Sequence, residues 1–214
     1  MRFRKHLNEG IFDKIFGGGK GRTSDLTNDD IWNIARYEEE RQDDEKLLKA
    51  INDPRFYTMK DNLGNTPFHI LVEKINLNDH DDRVFNILYT HPQIAKVKNK
   101  RGDTPLHVLA DRYGKDKHPD IQNLYRHKYI SSVKNNAGQT PLHILAEKGC
   151  KDIKYADGFD SIKDNINGET PLHYLARYIA RHGTKEDIEE FKHYPGIRKV
   201  KSKIGATPAI ILGI

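Results

Sequence analysis

Apolar side chains are grouped in short clusters that return through the second part of the chain. Each cluster follows a Thr-Pro pair, and its apolar residues recur three or four positions apart, which predicts a short helix with one buried face. The clusters read TPFHILVEK, TPLHVLADR, TPLHILAEK, TPLHYLARY and TPAIILGI, and their threonines are Thr66, Thr104, Thr140, Thr170 and Thr207. Successive threonines are 38, 36, 30 and 37 residues apart, so this part of the chain is a series of repeats.

The polar positions around each Thr-Pro pair predict a turn and a helix start. A glycine stands two residues before every threonine and predicts a backbone with positive φ. Residues expected to hydrogen-bond their own backbone stand three positions before that glycine, and they are Asp61, Asn99, Asn135, Asn165 and Ser202. The threonine hydroxyl is predicted to cap the helix, with proline in its first position. Three later glycines are predicted to end helices, and they are Gly114, Gly149 and Gly183.

A second helix is predicted in most units from further apolar spacing. The residues that predict it are Val84, Phe85, Ile87 and Leu88, then Ile121, Leu124 and Tyr125, and later Ile188 and Phe191. The unit of 30 residues has room only for a stunted version around Ile153 and Tyr155. Prolines are expected where three second helices pass into the next turn, at Pro54, Pro92 and Pro195.

The sequence Gly-x-Thr-Pro-Leu-His, followed by a short apolar helix at a period near 33 residues, resembles the ankyrin repeat. The resemblance covers residues 53–214, with four full copies and one partial copy. It implies an all-α solenoid of helix-turn-helix units with hairpin fingers. The units would span about 53–90, 91–127, 128–157, 158–193 and, in part, 194–214. The last unit departs from the family pattern, because its second helix and polar cap would be missing.

Residues 25–52 are predicted to form a helical cap over the first repeat, as one helix or a bent pair. Thr27 would begin the helix, and Asp29 and Asp30 in its first turn favour a helix N-terminus. The expected apolar anchors are Ile31, Ile34, Ala35, Leu47, Leu48 and Ile51, with Trp32 beside them. Terminal units of repeat proteins need such a cover.

Residues 1–24 are predicted to be a flexible basic and amphipathic leader with a Gly-rich linker. The leader could be a helix that touches a membrane or an acidic partner, or a floppy tail. It also resembles the capsid-targeting leaders of internal head proteins of large tailed phages, which are cut after a Leu/Ile-x-Glu motif. Leu7, Glu9 and Gly10 match that motif, which implies cleavage after Glu9 and packaging in a virion.

The amino-acid composition limits the classes of protein to which this chain can belong. Hydrophobic residues make up 36% and charged residues 31% of the chain, and the mean hydropathy is −0.80, which favours a thin architecture over a large globule. The single cysteine, Cys150, excludes a disulfide framework within the chain and any multi-cysteine metal site. No apolar run reaches the length of a membrane span, and no secretory signal is present, so a cytoplasmic location is expected.

Histidine follows the Thr-Pro pair in four units, at His69, His107, His143 and His173. Packed helices lie 8–10 Å apart, whereas two ligands of one zinc ion must lie within about 4 Å of each other. We therefore expect each imidazole to bond its own threonine and nearby backbone, and we expect neither a metal site nor a cofactor. The segment GGGKG lacks the features of a phosphate-binding loop, and no catalytic set is visible, so the chain is predicted not to be an enzyme.

The resemblance implies a scaffold that binds a partner protein through the fingers and the concave groove. A net charge of +5, with a pI of about 9.1, favours an acidic partner. Lysines four residues before the glycines add to a basic finger edge, and they are Lys60, Lys98, Lys134 and Lys201. The candidate binding residues, taken to be exposed on the fingers, are Lys100, Arg101, Asp103, Asn136, Gln139, Ile166, Asn167, Glu169 and Lys203.

Two alternatives concern other partners. Basic fingers permit nonspecific nucleic-acid binding, although the chain shows no aromatic groove and no known motif for it, so a protein partner is preferred. The apolar residues Ala209, Ile210, Ile211 and Leu212 could form an edge that pairs two chains, so both a monomer and a dimer remain open. A phage- or pathogen-encoded chain would act on a host protein in the host cytoplasm.

Overall fold

The structure is a computed structural model that describes residues 25–37, 43–74, 91–116, 124–125, 127 and 129–214. These residues form helices and turns and contain no β-strand, so the described part of the chain is all-α. The α-helices are α1 (Asn28–Arg36), α2 (Asp44–Asn52), α3 (Arg55–Thr58), α4 (Pro67–Lys74), α5 (Pro105–Asp116), α6 (Pro141–Glu147), α7 (Pro171–His182), α8 (Lys185–Phe191) and α9 (Pro208–Leu212). Two short 3-10 helices cover Pro92–Ala95 and Lys151–Tyr155.

The helices that begin with a Thr-Pro pair pack on one another in chain order. Helix α4 contacts α5, α5 contacts α6, α6 contacts α7, and α7 contacts α9, while α1 covers the other side of α4. Helices α5, α6 and α7 bury their Leu-Ala pairs completely, as at Leu109, Leu145 and Ala176. These side chains join one continuous apolar core along the described chain.

Five finger turns connect these helices to what precedes them. Each is closed by a backbone bond between its first and last residue, and the turns are residues 61–65, 99–103, 135–139, 164–169 and 202–206. The finger glycines have the predicted positive φ, between 64° and 80°. Backbone N–H groups also join successive fingers, as where Lys100 donates to the Leu63 carbonyl and Asn136 to that of Arg101.

The cap predicted for residues 25–52 is a pair of helices. Thr27 and Asp30 cap α1 together, since the Thr27 N–H donates to the Asp30 carboxylate and the Asp30 N–H to the Thr27 hydroxyl. The anchors Ile31, Ile34 and Ala35 are buried. Arg55 joins this pair to the next segment, because its guanidinium donates to the Leu26 carbonyl at 2.7 Å and pairs with buried Asp53.

Predictions for the later helices are confirmed where the structure describes them. The stunted helix is the 3-10 turn Lys151–Tyr155, and α8 carries Ile188 and buried Phe191. Leu124 and Tyr125 are helical and buried. The second helix predicted from residues 84–88, the position of Ile121 and the leader with its motif at Leu7, Glu9 and Gly10 lie outside the described residues.

Three predictions about single positions are wrong. Helix α5 continues through Gly114 to Asp116, and a Cβ at Gly114 would lie 2.6 Å from the Lys148 side chain, so glycine is needed there for close helix packing. The fourth finger is one residue longer than expected, and Asp164, not Asn165, accepts its backbone N–H groups. The buried Ser202 hydroxyl has no hydrogen-bond partner among the described residues.

Candidate functional site

The four histidines connect each unit to the next through one repeated arrangement. In every case Nδ1 accepts a bond from the N–H of the unit's own threonine, and the threonine hydroxyl lies 2.8–2.9 Å from the same nitrogen. The other ring nitrogen, Nε2, lies 3.0–3.1 Å from a backbone carbonyl of the following finger. Those carbonyls belong to Asp103, Gln139, Glu169 and Ala206.

The bonding partners of each imidazole determine its protonation. Because a carbonyl can only accept, Nε2 must carry the proton, and Nδ1 must stay unprotonated to accept from threonine. Burial lowers the pKa of His107 and His143 to about 4, and it lowers the pKa of His69 and His173 as well. The imidazoles are therefore neutral structural links near pH 7. The expectation that histidine bonds threonine and nearby backbone is confirmed, and the helix cap comes from threonine and histidine together.

Metal binding by the histidines has no support in this geometry. Their ring nitrogens are engaged with threonine and with backbone carbonyls, and no group of three possible metal-ligating residues occurs in the described ranges. None of the helices in the described ranges has the length and apolar character that a membrane crossing requires.

Lysine side chains form a second set of connections between fingers. The ammonium groups of Lys60, Lys98 and Lys134 donate to the carbonyls of Lys98, Lys134 and Lys163 at 3.1, 2.7 and 2.7 Å. The Lys163 ammonium donates to the Lys201 carbonyl at 2.8 Å. These cations lie near the surface, but each is engaged with its neighbour, so the basic finger edge predicted from the sequence is partly a structural connection.

We call the ten residues in the two positions before the finger glycines the tip row. They are Asn62, Leu63, Lys100, Arg101, Asn136, Ala137, Ile166, Asn167, Lys203 and Ile204. Leu63, Ile166 and Ile204 are 67%, 63% and 87% exposed. Single exposed apolar side chains are normal on protein surfaces, so these three do not by themselves mark a binding site.

The candidate residues of the tip row are exposed but not all free. The Lys100 ammonium donates to the Asn62 carbonyl at 2.7 Å, and that of Lys203 donates to the Asn165 and Ile166 carbonyls. The Asn136 amide donates to the Lys100 carbonyl. Arg101 is 81% exposed along its side chain and pairs with Asp103 at 2.7 Å. The tip row is thus a linked edge in which each finger holds the one before it.

Asp103 and Glu169 are not exposed, contrary to the expectation from the sequence. Both follow a finger glycine, where the side chain turns inward, and they are 4% and 1% exposed. The Asp103 carboxylate accepts from Asn135 at 2.8 Å, and Glu169 forms a bidentate ion pair with Arg177. Gln139 at the same position is half-buried and donates to the Tyr174 hydroxyl at 3.1 Å. These side chains lie beneath the tip row and are not part of the exposed surface of the fingers.

A groove of about 450 Å³ lies between α6 and α7, and we call it the helix groove. It is lined by Glu147, Lys148, Tyr174, Arg177, Tyr178, Arg181 and His182. Its volume falls within the range of binding sites for small molecules and peptide side chains. Tyrosine and arginine are the residue types most often found at the centre of protein interfaces.

Neighbouring units hold several groove side chains in place. The Tyr174 hydroxyl donates to Asp164 at 2.8 Å, and the Tyr174 ring meets His143 edge-on. Although burial opposes it, bonds from Tyr174 and from backbone N–H groups keep the pKa of Asp164 below its usual range, and burial raises the pKa of Tyr174. Lys148 pairs with Asp111 at 3.0 Å.

Sequence reasoning missed the helix groove, although the repeat alignment contains a signal for it. Seven and eight residues after threonine, the first three units read Glu73-Lys74, Asp111-Arg112 and Glu147-Lys148. The fourth unit reads Arg177-Tyr178 and so replaces an acid by a base and a base by an aromatic ring. Comparison with protein-family models and with curated proteins gives no match to this chain.

Proposed function

We propose that the chain is a non-enzymatic, ankyrin-like scaffold that binds a partner protein through the tip row and the helix groove. The observation that carries the proposal is the repeated use of histidine as a link between units. The four repeat histidines are buried and neutral, and each is engaged with threonine and with a backbone carbonyl. The surface of the described residues includes a row of finger tips and a groove lined by tyrosine and arginine.

The ankyrin-like arrangement is supported by the order of the helices. Each Thr-Pro helix contacts the corresponding helix of the unit before and after it, and the fingers are joined by backbone bonds in the same order. In a solenoid of this kind each unit contacts only its neighbours, which leaves long edges exposed for binding. Its partner would be recognised by several units together.

The test is affinity capture from the native source with charge-reversed variants. We expect the wild type to retain a partner that the Lys100→Glu/Arg101→Glu variant or the Arg181→Glu variant loses. The matched control is Arg198→Glu/Lys199→Glu, which reverses two exposed charges that belong neither to the tip row nor to the lining of the helix groove. Equal recovery of the same proteins by all four chains would contradict the proposal.

Nucleic acid is the alternative partner, and it has a direct test. Nonspecific binding through basic side chains weakens steeply with added salt. A scaffold for proteins should pass through a DNA column at about 50 mM salt, whereas salt-sensitive retention would favour the alternative. Mass spectrometry of the native protein would also test the leader proposal, because cleavage after Glu9 leaves Gly10 as the first residue.

A further inference from the structure

We infer that the helix groove binds a short acidic segment of the partner protein, in which a carboxylate side chain lies next to an apolar or aromatic one. This inference rests on the proposed function, since it names a site and the chemistry of the partner. It follows from three properties of the groove: the charge of its lining, its aromatic wall and the fixed positions of Arg177 and Tyr174.

The lining of the groove carries more positive than negative charge. Lys148, Arg177 and Arg181 face a single carboxylate, Glu147. Lys148 and Arg177 each have a carboxylate behind them, Asp111 and buried Glu169. Arg181 is exposed in the last turn of α7 and has no ion pair among the described residues, so it is the cation available to a ligand. An arginine of this kind binds a carboxylate through two parallel N–H donors.

The aromatic wall supplies the second half of the recognition. Tyr174 and Tyr178 lie one helical turn apart on α7 and are both half-buried. The Tyr178 ring also packs against His182, with 5.0 Å between ring centroids. Since an aromatic ring offers a large apolar surface with little flexibility, a neighbouring apolar side chain of the ligand would pack against this wall.

Two side chains of the groove, Arg177 and Tyr174, are already held in position before a ligand arrives. Arg177 is fixed by its bidentate pair with Glu169, and Tyr174 by bonds that its hydroxyl makes with Asp164 and Gln139. The conformational entropy that these side chains would lose on binding is therefore small, which favours affinity. The three supporting residues come from the third and fourth fingers, so the fingers and the groove form one structural unit.

The experiment is selection from an unbiased library of displayed 12-residue peptides against the full chain. The selected peptides are then made with a fluorescent label, and their affinities are measured by anisotropy. We expect sequences with Asp or Glu beside an apolar or aromatic residue. Arg181→Glu should weaken their binding at least tenfold and Tyr178→Ala about fivefold, while the matched variant Arg198→Glu should leave it unchanged.

The other outcomes separate the inference from the proposed function. Peptides that bind Arg181→Glu normally but lose affinity for Lys100→Glu/Arg101→Glu would overturn the groove assignment and leave the proposed function standing. Groove-dependent peptides without Asp or Glu would overturn the acidic chemistry. A labelled 12-nucleotide DNA strand that competes equally at the groove would overturn the choice of a protein segment. Selection of no peptide by a chain shown to be folded would count against both proposals.

Discussion

Helices α6 and α7 begin alike and end differently. Both start with Thr-Pro-Leu-His, and His143 and His173 make the same bonds to their own threonine and to the next finger. The two helices differ directly after the histidine, where Ile144 is replaced by Tyr174, and again four residues after it, where Glu147-Lys148 is replaced by Arg177-Tyr178. The first half of each helix is held by the bonds of its histidine to the threonine of the same unit and to the following finger. The second half lines the helix groove, where Arg177 and Tyr178 stand in place of Glu147 and Lys148.

The largest effect on stability is expected when acid protonates the histidines in the first half of each Thr-Pro helix. His107 and His143 have a pKa of about 4 in the folded chain, below the value of about 6.5 in an unfolded one. The neutral form is thus favoured by folding, so stability is full above about pH 6.5 and is lost as the pH falls towards 4. We expect protonation of each of these two histidines to lower the free energy of unfolding by about 3 kcal/mol between pH 6.5 and pH 4.

Circular dichroism during urea denaturation at several pH values would measure this loss. We expect the free energy of unfolding to fall steeply between pH 6.5 and 4, with contributions also from His69 and His173, whose pKa is lowered in the same direction. A free energy of unfolding that does not change between pH 7 and pH 5 would show that the imidazoles are not buried as neutral links.

The next largest loss of stability is expected when one of the histidines that connect the units is removed. His143→Ala leaves the Thr140 N–H and the Glu169 carbonyl without partners in a buried site, and it also opens a cavity. We expect a loss of about 3 kcal/mol in urea denaturation. The control is His193→Ala, which removes an exposed imidazole just after α8 and should change the free energy of unfolding by less than about 0.5 kcal/mol. Equal effects of the two variants would contradict the assigned roles.

Alanine substitutions at equivalent positions in the second halves of α6 and α7 should lower stability by different amounts. Arg177→Ala leaves the carboxylate of Glu169, which is 1% exposed, without its cation. Because the Arg177 side chain is 36% exposed, we expect a loss of about 2 kcal/mol, less than for a fully buried pair. Glu147→Ala removes an exposed carboxylate at the same repeat position and should cost less than about 0.5 kcal/mol. Thermal denaturation of both variants would reveal the difference, and similar midpoints would refute it.

The smallest effect is expected for the lysine connections. Lys98→Met removes the bond from an exposed ammonium to the Lys134 carbonyl, which lies 2.7 Å away. Water can replace such a bond, so the expected loss is about 0.5 kcal/mol or less. Lys96→Met, a nearby exposed lysine, is the matched control, and only a larger loss for Lys98→Met would indicate that the connection stabilises the array.

The sequence predicts most of the structural features that recur from unit to unit. The residue types around each Thr-Pro pair predict the helix starts, the finger glycines and the threonine bonds of His69, His107, His143 and His173, because these features depend on a few neighbouring residues. The ankyrin-like solenoid itself stays a prediction. What the chain binds also stays a prediction.

The misjudged positions depend on contacts between units. The place of Asp103 and Glu169 on the fingers predicts exposure, yet both side chains turn inward, Asp103 to Asn135 of the next unit and Glu169 to Arg177 of its own. Gly114 resembles a helix end in one unit, but its place is explained by Lys148 of the next. The helix groove was missed for the same reason, since its lining is visible only when α6 and α7 are side by side.

The bond from each imidazole to the following finger has the same length whatever lies between its two ends. The residues joined are 34, 32, 26 and 33 positions apart, while Nε2 and the carbonyl oxygen stay 3.0–3.1 Å from each other. The segment after each Thr-Pro helix can therefore grow or shrink by several residues without disturbing the joint. Insertions and deletions should accumulate in that segment, and a foreign sequence grafted there would leave the array aligned.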